Sequence, residues 1–80
     1  MEGVRINVTS YAGYKGAEMP RFLMIDGRSI EVIEVIRMWT EEDRMTRRKK
    51  RFFRVQGRDS HRYVLYYDEE SMDWYLTGYD

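Results

Sequence analysis

Five consecutive basic residues are the first feature of this sequence that could do chemistry. They are Arg47, Arg48, Lys49, Lys50 and Arg51, here called the basic run. Such a cluster binds phosphates by releasing the counterions that surround a nucleic acid. The alternative is a solvated loop whose charges are neutralised within the chain. Both fit the charge distribution, because residues 37–62 carry 10 bases and 4 acids whereas residues 63–80 carry 5 acids and no base.

A second set of side chains interleaves aromatic rings with guanidinium groups. Its members are Phe52, Arg54, Arg62, Tyr66 and Tyr75. If the three C-terminal segments are neighbouring strands, period-two alternation places all five on one face of a sheet. Rings that stack on bases, beside arginines that contact phosphates, are typical of surfaces that bind single-stranded RNA or DNA. The alternatives are the inner wall of a closed barrel, a face covered by other parts of the chain, or a contact surface between copies.

Residue types that serve in catalysis are scarce. The chain has no Cys and His61 is its only His, so it offers neither a thiolate nucleophile nor the usual ligands of a zinc site. Asp59, Ser60 and His61 are the types of a nucleophilic triad, but three consecutive residues of one turn do not converge as triad members must. We therefore expect no catalytic residue, no metal and no cofactor, with a small hydrolase as the most distant alternative.

Two weaker motifs also concern ligands. Residues 13–16 have the G-x-x-G spacing of the backbone clamp in KH domains, but predicted strands flank them where KH domains have helices. The acidic segment 68–70 lacks the alternating acids and central glycine of an EF-hand loop. A turn and a solvated hairpin are the simpler interpretations.

The elements that position these side chains belong to one domain over residues 1–80, because a chain of this length cannot build two cores. Apolar and polar residues alternate near the start and predict a strand over about 3–9. Gly and Pro over 11–20 predict a loop. Asp26-Gly27 between two apolar segments predicts a tight hairpin turn, because Gly accepts the positive φ that such a turn needs.

The middle of the chain supports two interpretations. β-branched residues predict a strand over 30–39 with a bulge where Val32 meets Ile33, although the spacing of the apolar residues also fits a helix. Thr40 followed by Asp43 resembles a capping box and predicts a short helix over 41–49. A charged loop is the alternative there, since isolated helices of this length are marginal.

The C-terminal half predicts three strands over 50–56, 62–67 and 72–77, joined by polar turns. We expect Gly57 to pair with His61 and Tyr67 with Met72. One apolar face then forms the core. Its members are Phe53, Val55, Tyr63, Leu65, Tyr67, Met72, Trp74 and Leu76.

These segments together predict a mainly β fold, a five- or six-stranded antiparallel meander that either stays open or curls into a small barrel. The chain has neither an apolar signal region nor an apolar run approaching the ~20 residues of a membrane span. With no Cys for disulfides, a cytoplasmic location and no membrane association are expected.

The order of several residues also resembles the pattern of a group of small bacterial proteins of unknown function. The residues that carry it are Pro20, Phe22, Gly27-Arg28, Val32, Trp39, Phe53-Arg54-Val55, Tyr63, Leu65, Tyr67-Asp68, Trp74 and Leu76. The resemblance spans residues 20–77, and it departs where Phe22 follows Pro20 by two residues rather than three. It implies a single β-rich cytosolic domain, and it implies no activity because none of its motifs is a catalytic signature.

We therefore expect a non-enzymatic binding or interaction module whose partner is another protein or a second copy of the chain. The main alternative is a small barrel that binds single-stranded RNA or DNA. In that case the basic run and the five interleaved residues are the binding residues.

Overall fold

Period-two alternation of apolar and polar residues builds six strands in the computed structural model, which describes residues 3–13 and 17–79. They are β1 (Val4–Ala12), β2 (Glu18–Ile25), β3 (Arg28–Glu42), β4 (Lys49–Gly57), β5 (Arg62–Asp68) and β6 (Asp73–Tyr79). Each strand pairs antiparallel with the next, and β1 also pairs with β6, so the meander closes into a barrel. The predicted mainly β fold is confirmed. The part of the chain that the structure describes contains no helix of the length and apolarity needed to cross a membrane.

The strands of the β1–β2 and β2–β3 hairpins are longer than the sequence predicts. Asp26 and Gly27 have φ values of 50° and 76°, which confirms the tight turn between β2 and β3. The loop predicted over 11–20 was too long, because Tyr11 pairs with Met19 near the end of β1. The register of β1 against β2 shifts opposite Pro20, which has no N–H to donate to a sheet.

β3 is a long strand with two irregularities in its pairing with β4. The first lies between Val32 and Glu34, which confirms the predicted bulge, and the second lies between Val35 and Arg37. A bulge bends a strand and increases its twist. β3 consequently pairs with β2 through its first residues and with β4 through the rest.

The helix predicted over 41–49 is wrong. Glu41 and Glu42 lie in β3, where they pair with Lys50 and Lys49 of β4. The intervening loop is held by Asp43, whose Oδ1 accepts hydrogen bonds from the backbone N–H groups of the residues two and three positions on. These bonds would also begin a helix, but the opposite charges across β3 and β4 favour a hairpin here.

The hydrogen bonds that Asp43 accepts also affect its acidity. The bond from the Thr46 N–H, followed by that from the Met45 N–H, holds the pKa of the Asp43 carboxyl below its usual value. Arg47 has a φ of 62° and returns the chain to β4. The loop is therefore ordered by local hydrogen bonds, including a single helical-type bond from the Arg47 N–H to the Asp43 carbonyl at 2.7 Å, and it does not continue into a helix.

The core contains most of the predicted apolar face. The buried members are Leu23, Ile30, Phe53, Val55, Tyr63, Leu65 and Trp74. Pairing of β4 with β5 follows the predicted register, but β6 is displaced by two residues, so that Tyr67 opposes Trp74 rather than Met72. A two-residue displacement preserves the faces, since the side-chain period is two.

Met72 was wrongly assigned to the core. It lies in the β5–β6 turn with a φ of 61° and is 70% exposed. The turn is anchored by Asp68, whose Oδ1 accepts the N–H groups of Glu70 and Ser71, and whose carbonyl accepts the N–H of Met72. These bonds place four residues in the turn and delay the start of β6 to Asp73.

Candidate binding surface

The basic run is folded against acids of the same molecule. Arg48 Nη2 donates to Asp68 Oδ2 at 2.6 Å, and Arg48 Nε lies 3.7 Å from Glu70 Oε2. Arg51 Nη1 lies 3.8 Å from Glu69 Oε2. The meander brings the acidic β5–β6 turn beside the start of β4, so these contacts follow from the topology. Much of the run's charge is therefore neutralised within the chain.

The other three members of the basic run also lie beside side chains of the same molecule. Arg47 Nη1 lies 3.8 Å from Glu42 Oε2, and Lys49 pairs with Glu42 across the hairpin. Lys50 Nζ lies 5.0 Å from the centre of the Tyr66 ring, within cation–π range. This geometry favours the interpretation in which the acidic segment neutralises the basic run.

Four aromatic rings form a row across the outer face of the barrel. The strand register places Trp39, Phe52, Tyr66 and Tyr75 opposite one another on β3 to β6, and we call them the aromatic row. Successive ring centres are 5.2, 5.1 and 4.9 Å apart. The barrel core is built from the alternate residues, so the interpretation of this face as an inner wall was wrong.

Access to the aromatic row differs along its length. Tyr66 is 7% exposed, whereas Trp39, Phe52 and Tyr75 are half-buried. The backbone of Gly3 lies against the Tyr75 end, where a Cβ on this glycine would be 2.8 Å from Tyr75 Cβ and 3.2 Å from Tyr66 Cε2. The Trp39 end is held in place by a hydrogen bond from Nε1 to Glu41 Oε2 at 3.1 Å. Trp39 and Phe52 are therefore the rings best placed for stacking.

Arginines of three strands converge beside the aromatic row. Arg37 of β3 pairs directly with Arg54 of β4, and Arg62 of β5 lies one diagonal position from Arg54. They line a shallow groove of about 520 Å³, which we call the arginine groove. Its other lining residues are Glu34, Ile36 and Gln56. Three arginines and one glutamate leave it with a formal charge of about +2.

The arginines of this groove differ from those of the basic run in their partners. No carboxylate of residues 3–13 or 17–79 forms an ion pair with Arg37, Arg54 or Arg62. Arg62 Nε lies 3.4 Å from Gln56 Oε1, and the Arg37 guanidinium lies 5.0 Å from the centre of the Trp39 ring. Like charges directly opposite on a sheet are destabilising. The groove thus presents net positive charge next to half-exposed rings.

Sequence reasoning identified Arg54, Arg62 and three rings of the row but missed Arg37 and Trp39. The signal was their spacing of two residues, which places both on one face of a strand. That signal was hidden because residues 30–39 also fitted a helix, and because bulges in β3 change which residues face outward.

A second cavity, of about 570 Å³, opens at the end of the barrel that holds the β2–β3 and β4–β5 turns. We call it the barrel mouth. Asp59 lies in it, where its Oδ2 accepts a hydrogen bond from the Tyr63 hydroxyl at 2.5 Å and its Oδ1 accepts the N–H of His61 at 3.1 Å. His61 Nδ1 lies 3.5 Å from Asp59 Oδ2.

These contacts shift two pKa values in the barrel mouth. Burial, the hydrogen bond to Asp59 and the charge of that carboxylate raise the pKa of Tyr63 to about 12. Desolvation opposes ionisation of Asp59, but the hydrogen bonds from Tyr63 and His61 hold its pKa below the usual value. Asp59 is therefore ionised at neutral pH and serves as a fixed hydrogen-bond acceptor.

Three other candidate sites were weighed from the sequence: a metal site, the turn over residues 59–61 and the G-x-x-G segment over residues 13–16. Within the described residues, no group of three or more His, Cys, Asp or Glu side chains is arranged to hold a metal ion. Ser60 follows Asp59 in the β4–β5 turn with a φ of 71°. Of the G-x-x-G segment, only Gly13 belongs to the described part, and residues 14–16 lie outside it.

Comparison with protein-family models, with curated proteins and with solved structures found no match to this chain. The resemblance over residues 20–77 therefore stays a prediction. The geometry of the outer face and the barrel mouth is the basis on which a function can be argued.

Proposed function

We propose that this protein is a non-enzymatic module that binds single-stranded nucleic acid on the outer face of its barrel. The arginine groove contacts phosphates, and Trp39 and Phe52 stack on bases. The observation that carries this proposal is the direct opposition of Arg37 and Arg54, neither of which forms an ion pair with a described carboxylate.

The phosphate part of the proposal follows from the electrostatics of the arginine groove. Two guanidinium groups on directly opposed positions repel each other, and this repulsion costs stability in the free protein. A phosphate between them replaces the repulsion with charge-assisted hydrogen bonds, which arginine forms in a bidentate manner. Arg62 extends the same positive surface onto β5.

The base part of the proposal follows from the aromatic row. The rings of Trp39 and Phe52 are nearly parallel, with 12° between their planes, and both side chains remain half-exposed. Arg37 lies against the Trp39 ring, so a phosphate bound by this arginine brings the neighbouring base close to the rings. Stacking of this kind tolerates any sequence, because every base has a π-face.

The same geometry favours single strands over duplexes. A ring can stack on a base only when that base is unstacked from its neighbours, which single strands and loops provide. An acidic protein segment offers anions to the arginine groove but no planar base to Trp39 and Phe52. Polyglutamate is therefore an informative competitor.

The test is a fluorescence anisotropy titration of labelled single-stranded RNA and DNA of roughly 12 nucleotides, within the site sizes of small barrels. We expect saturable binding that Arg54→Glu abolishes. The matched control is Arg44→Glu, which makes the same charge change at an exposed loop position outside the groove and leaves binding within about twofold.

Salt dependence separates phosphate contact from other modes of binding. Three phosphate contacts on a single strand predict a slope of log K against log salt near −2. Absence of binding at low salt would refute the proposal. Equal competition by polyglutamate and by unlabelled oligonucleotide would also refute it, because it would show that the rings contribute nothing.

A further inference from the structure

The barrel mouth has the size and lining of a site for a small planar group. Its floor includes the buried residues Ile30 and Tyr63, and its rim includes the exposed side chains of Val4, Met24 and Tyr79. A cavity of about 570 Å³ lies within the range of small-molecule sites, which often occupy the mouths of β-barrels. Its volume is sufficient to hold a nucleobase.

The barrel mouth and the arginine groove each share lining residues with a third depression. This depression, of about 200 Å³, is lined by Arg54, Arg62, Val64, Gly78 and Tyr79. The two arginines also line the groove, and Tyr79 also lines the mouth. A strand whose phosphates lie on Arg37, Arg54 and Arg62 is therefore close to Tyr79 at the rim of the mouth.

The charges of the two cavities suit different parts of a nucleotide. Arg5 and Arg28 line the barrel mouth together with Asp26 and Asp59, so its formal charge is balanced. The arginine groove carries a formal charge of about +2. A phosphate is favoured in the groove, which carries net positive charge, and a neutral ring is favoured in the mouth, which carries none.

Two groups in the barrel mouth are placed to recognise a base. Tyr79 is 72% exposed, and its ring centre lies 6.1 Å from that of Tyr63. Each Asp59 oxygen accepts a hydrogen bond from the protein, and an ionised carboxylate retains further lone pairs that accept from amino groups. Bases with an exocyclic amino group offer such a donor, as cytosine N4 does to acidic side chains.

We propose that the terminal nucleoside of the bound single strand inserts its base into the barrel mouth. The base stacks on Tyr79 and donates from its exocyclic amino group to Asp59. This inference rests on the proposed function, and it adds that the protein recognises the end of a strand. Adenine, cytosine and guanine are favoured at this end over uracil and thymine.

The test compares a linear oligonucleotide with a covalently closed circle of the same sequence. The wild type is expected to bind the linear strand about tenfold more tightly, which is the effect of one stacked base. A linear strand whose terminal residues are abasic is expected to bind like the circle. Equal affinity for all three probes would overturn the inference while leaving the proposed function intact, whereas no binding to any of them would refute both.

Two variants assign the effect to the barrel mouth. Tyr79→Ala changes an exposed side chain and is expected to remove the preference for the linear strand while retaining binding to the circle. Asp59→Asn is expected to remove the preference for terminal bases that carry an amino group. Arg54→Glu is expected to abolish binding of both probes. A linear preference that survives Tyr79→Ala would contradict the assignment to the mouth.

Discussion

Arg37 and Arg54 are direct partners across β3 and β4, and neither forms an ion pair with a described residue. The same pair of strands places Glu41 opposite Lys50 four positions from this site. The hairpin thus follows the usual preference for opposite charges at its loop end and departs from it beside the aromatic row. A departure that costs stability is expected where a ligand supplies the missing charge.

A substitution that removes the positive charge of Arg54 should therefore raise the free energy of unfolding and reduce nucleic-acid binding. Arg54→Glu converts a repulsive cross-strand pair into an attractive one, and we expect it to raise the free energy of unfolding by about 0.2–1 kcal/mol. The same variant is expected to lose nucleic-acid binding. Urea denaturation at neutral pH and low salt measures the stability, because salt screens charges on the surface. A loss of stability in Arg54→Glu would show that Arg37 and Arg54 do not repel each other.

The contact between Arg48 and Asp68 should contribute far more to stability than the other contacts of the basic run. The Asp68 side chain is 6% exposed and also holds the β5–β6 turn. Asp68→Asn preserves an acceptor for that turn but removes the charge that compensates the guanidinium. We expect a loss of about 1–3 kcal/mol in the free energy of unfolding.

Arg47→Ala is the matched control for that variant. Its guanidinium lies 3.8 Å from Glu42, and its side chain is 83% exposed. Surface pairs of this kind contribute about 0–1 kcal/mol. A comparable loss of stability in both variants, measured by urea denaturation with unchanged m-values, would contradict the distinction.

Local signals were sufficient to predict much of the fold. Alternation gave the faces of the three C-terminal strands, and Asp26-Gly27 gave a turn whose φ values require a flexible residue. The β4–β5 register followed from the short turn between Gly57 and His61, whose backbone groups are hydrogen-bonded. These features depend on residues close together in the chain, which is why the sequence reveals them.

The features that the sequence did not reveal depend on competition between side chains. Asp43 was placed in a helix because the bonds that begin a helix also make a turn. Asp68 delays the start of β6, because its side chain accepts the N–H groups of Glu70 and Ser71 in the β5–β6 turn. The pairing of Arg48 with Asp68 joins residues 20 positions apart, and it decided how much of the basic run is neutralised.

The stability that the Tyr63 hydroxyl contributes should disappear in alkali. Burial, with the hydrogen bond to Asp59 and its charge, raises the pKa of Tyr63 to about 12, compared with about 10 in an unfolded chain. The folded state therefore holds this proton more tightly than the unfolded state. The contribution is complete below about pH 10 and is lost as the pH rises towards about 12.

We expect the difference in the free energy of unfolding between the wild type and Tyr63→Phe to be constant up to about pH 10 and to shrink above it. Urea denaturation from neutral pH to strong alkali measures this difference. Tyr79→Phe is the control, since it removes an exposed hydroxyl from the same cavity. A difference that stays constant through the alkaline range would contradict the raised pKa.

The turn between β2 and β3 offers a test in which backbone conformation is the sole variable. Gly27 has a φ of 76°, and a Cβ built there has no atom within 4 Å, so Gly27→Ala strains the backbone without any clash. We expect a loss of about 1 kcal/mol in the free energy of unfolding, and a smaller loss for Gly27→Asn, because Asn tolerates this conformation better. Gly78→Ala is the matched control, since a Cβ there is also unobstructed and the residue lacks a positive φ. If Gly27→Ala were as stable as Gly78→Ala, the turn would not require a left-handed residue, and the register that it imposes on β2 and β3 would need another cause.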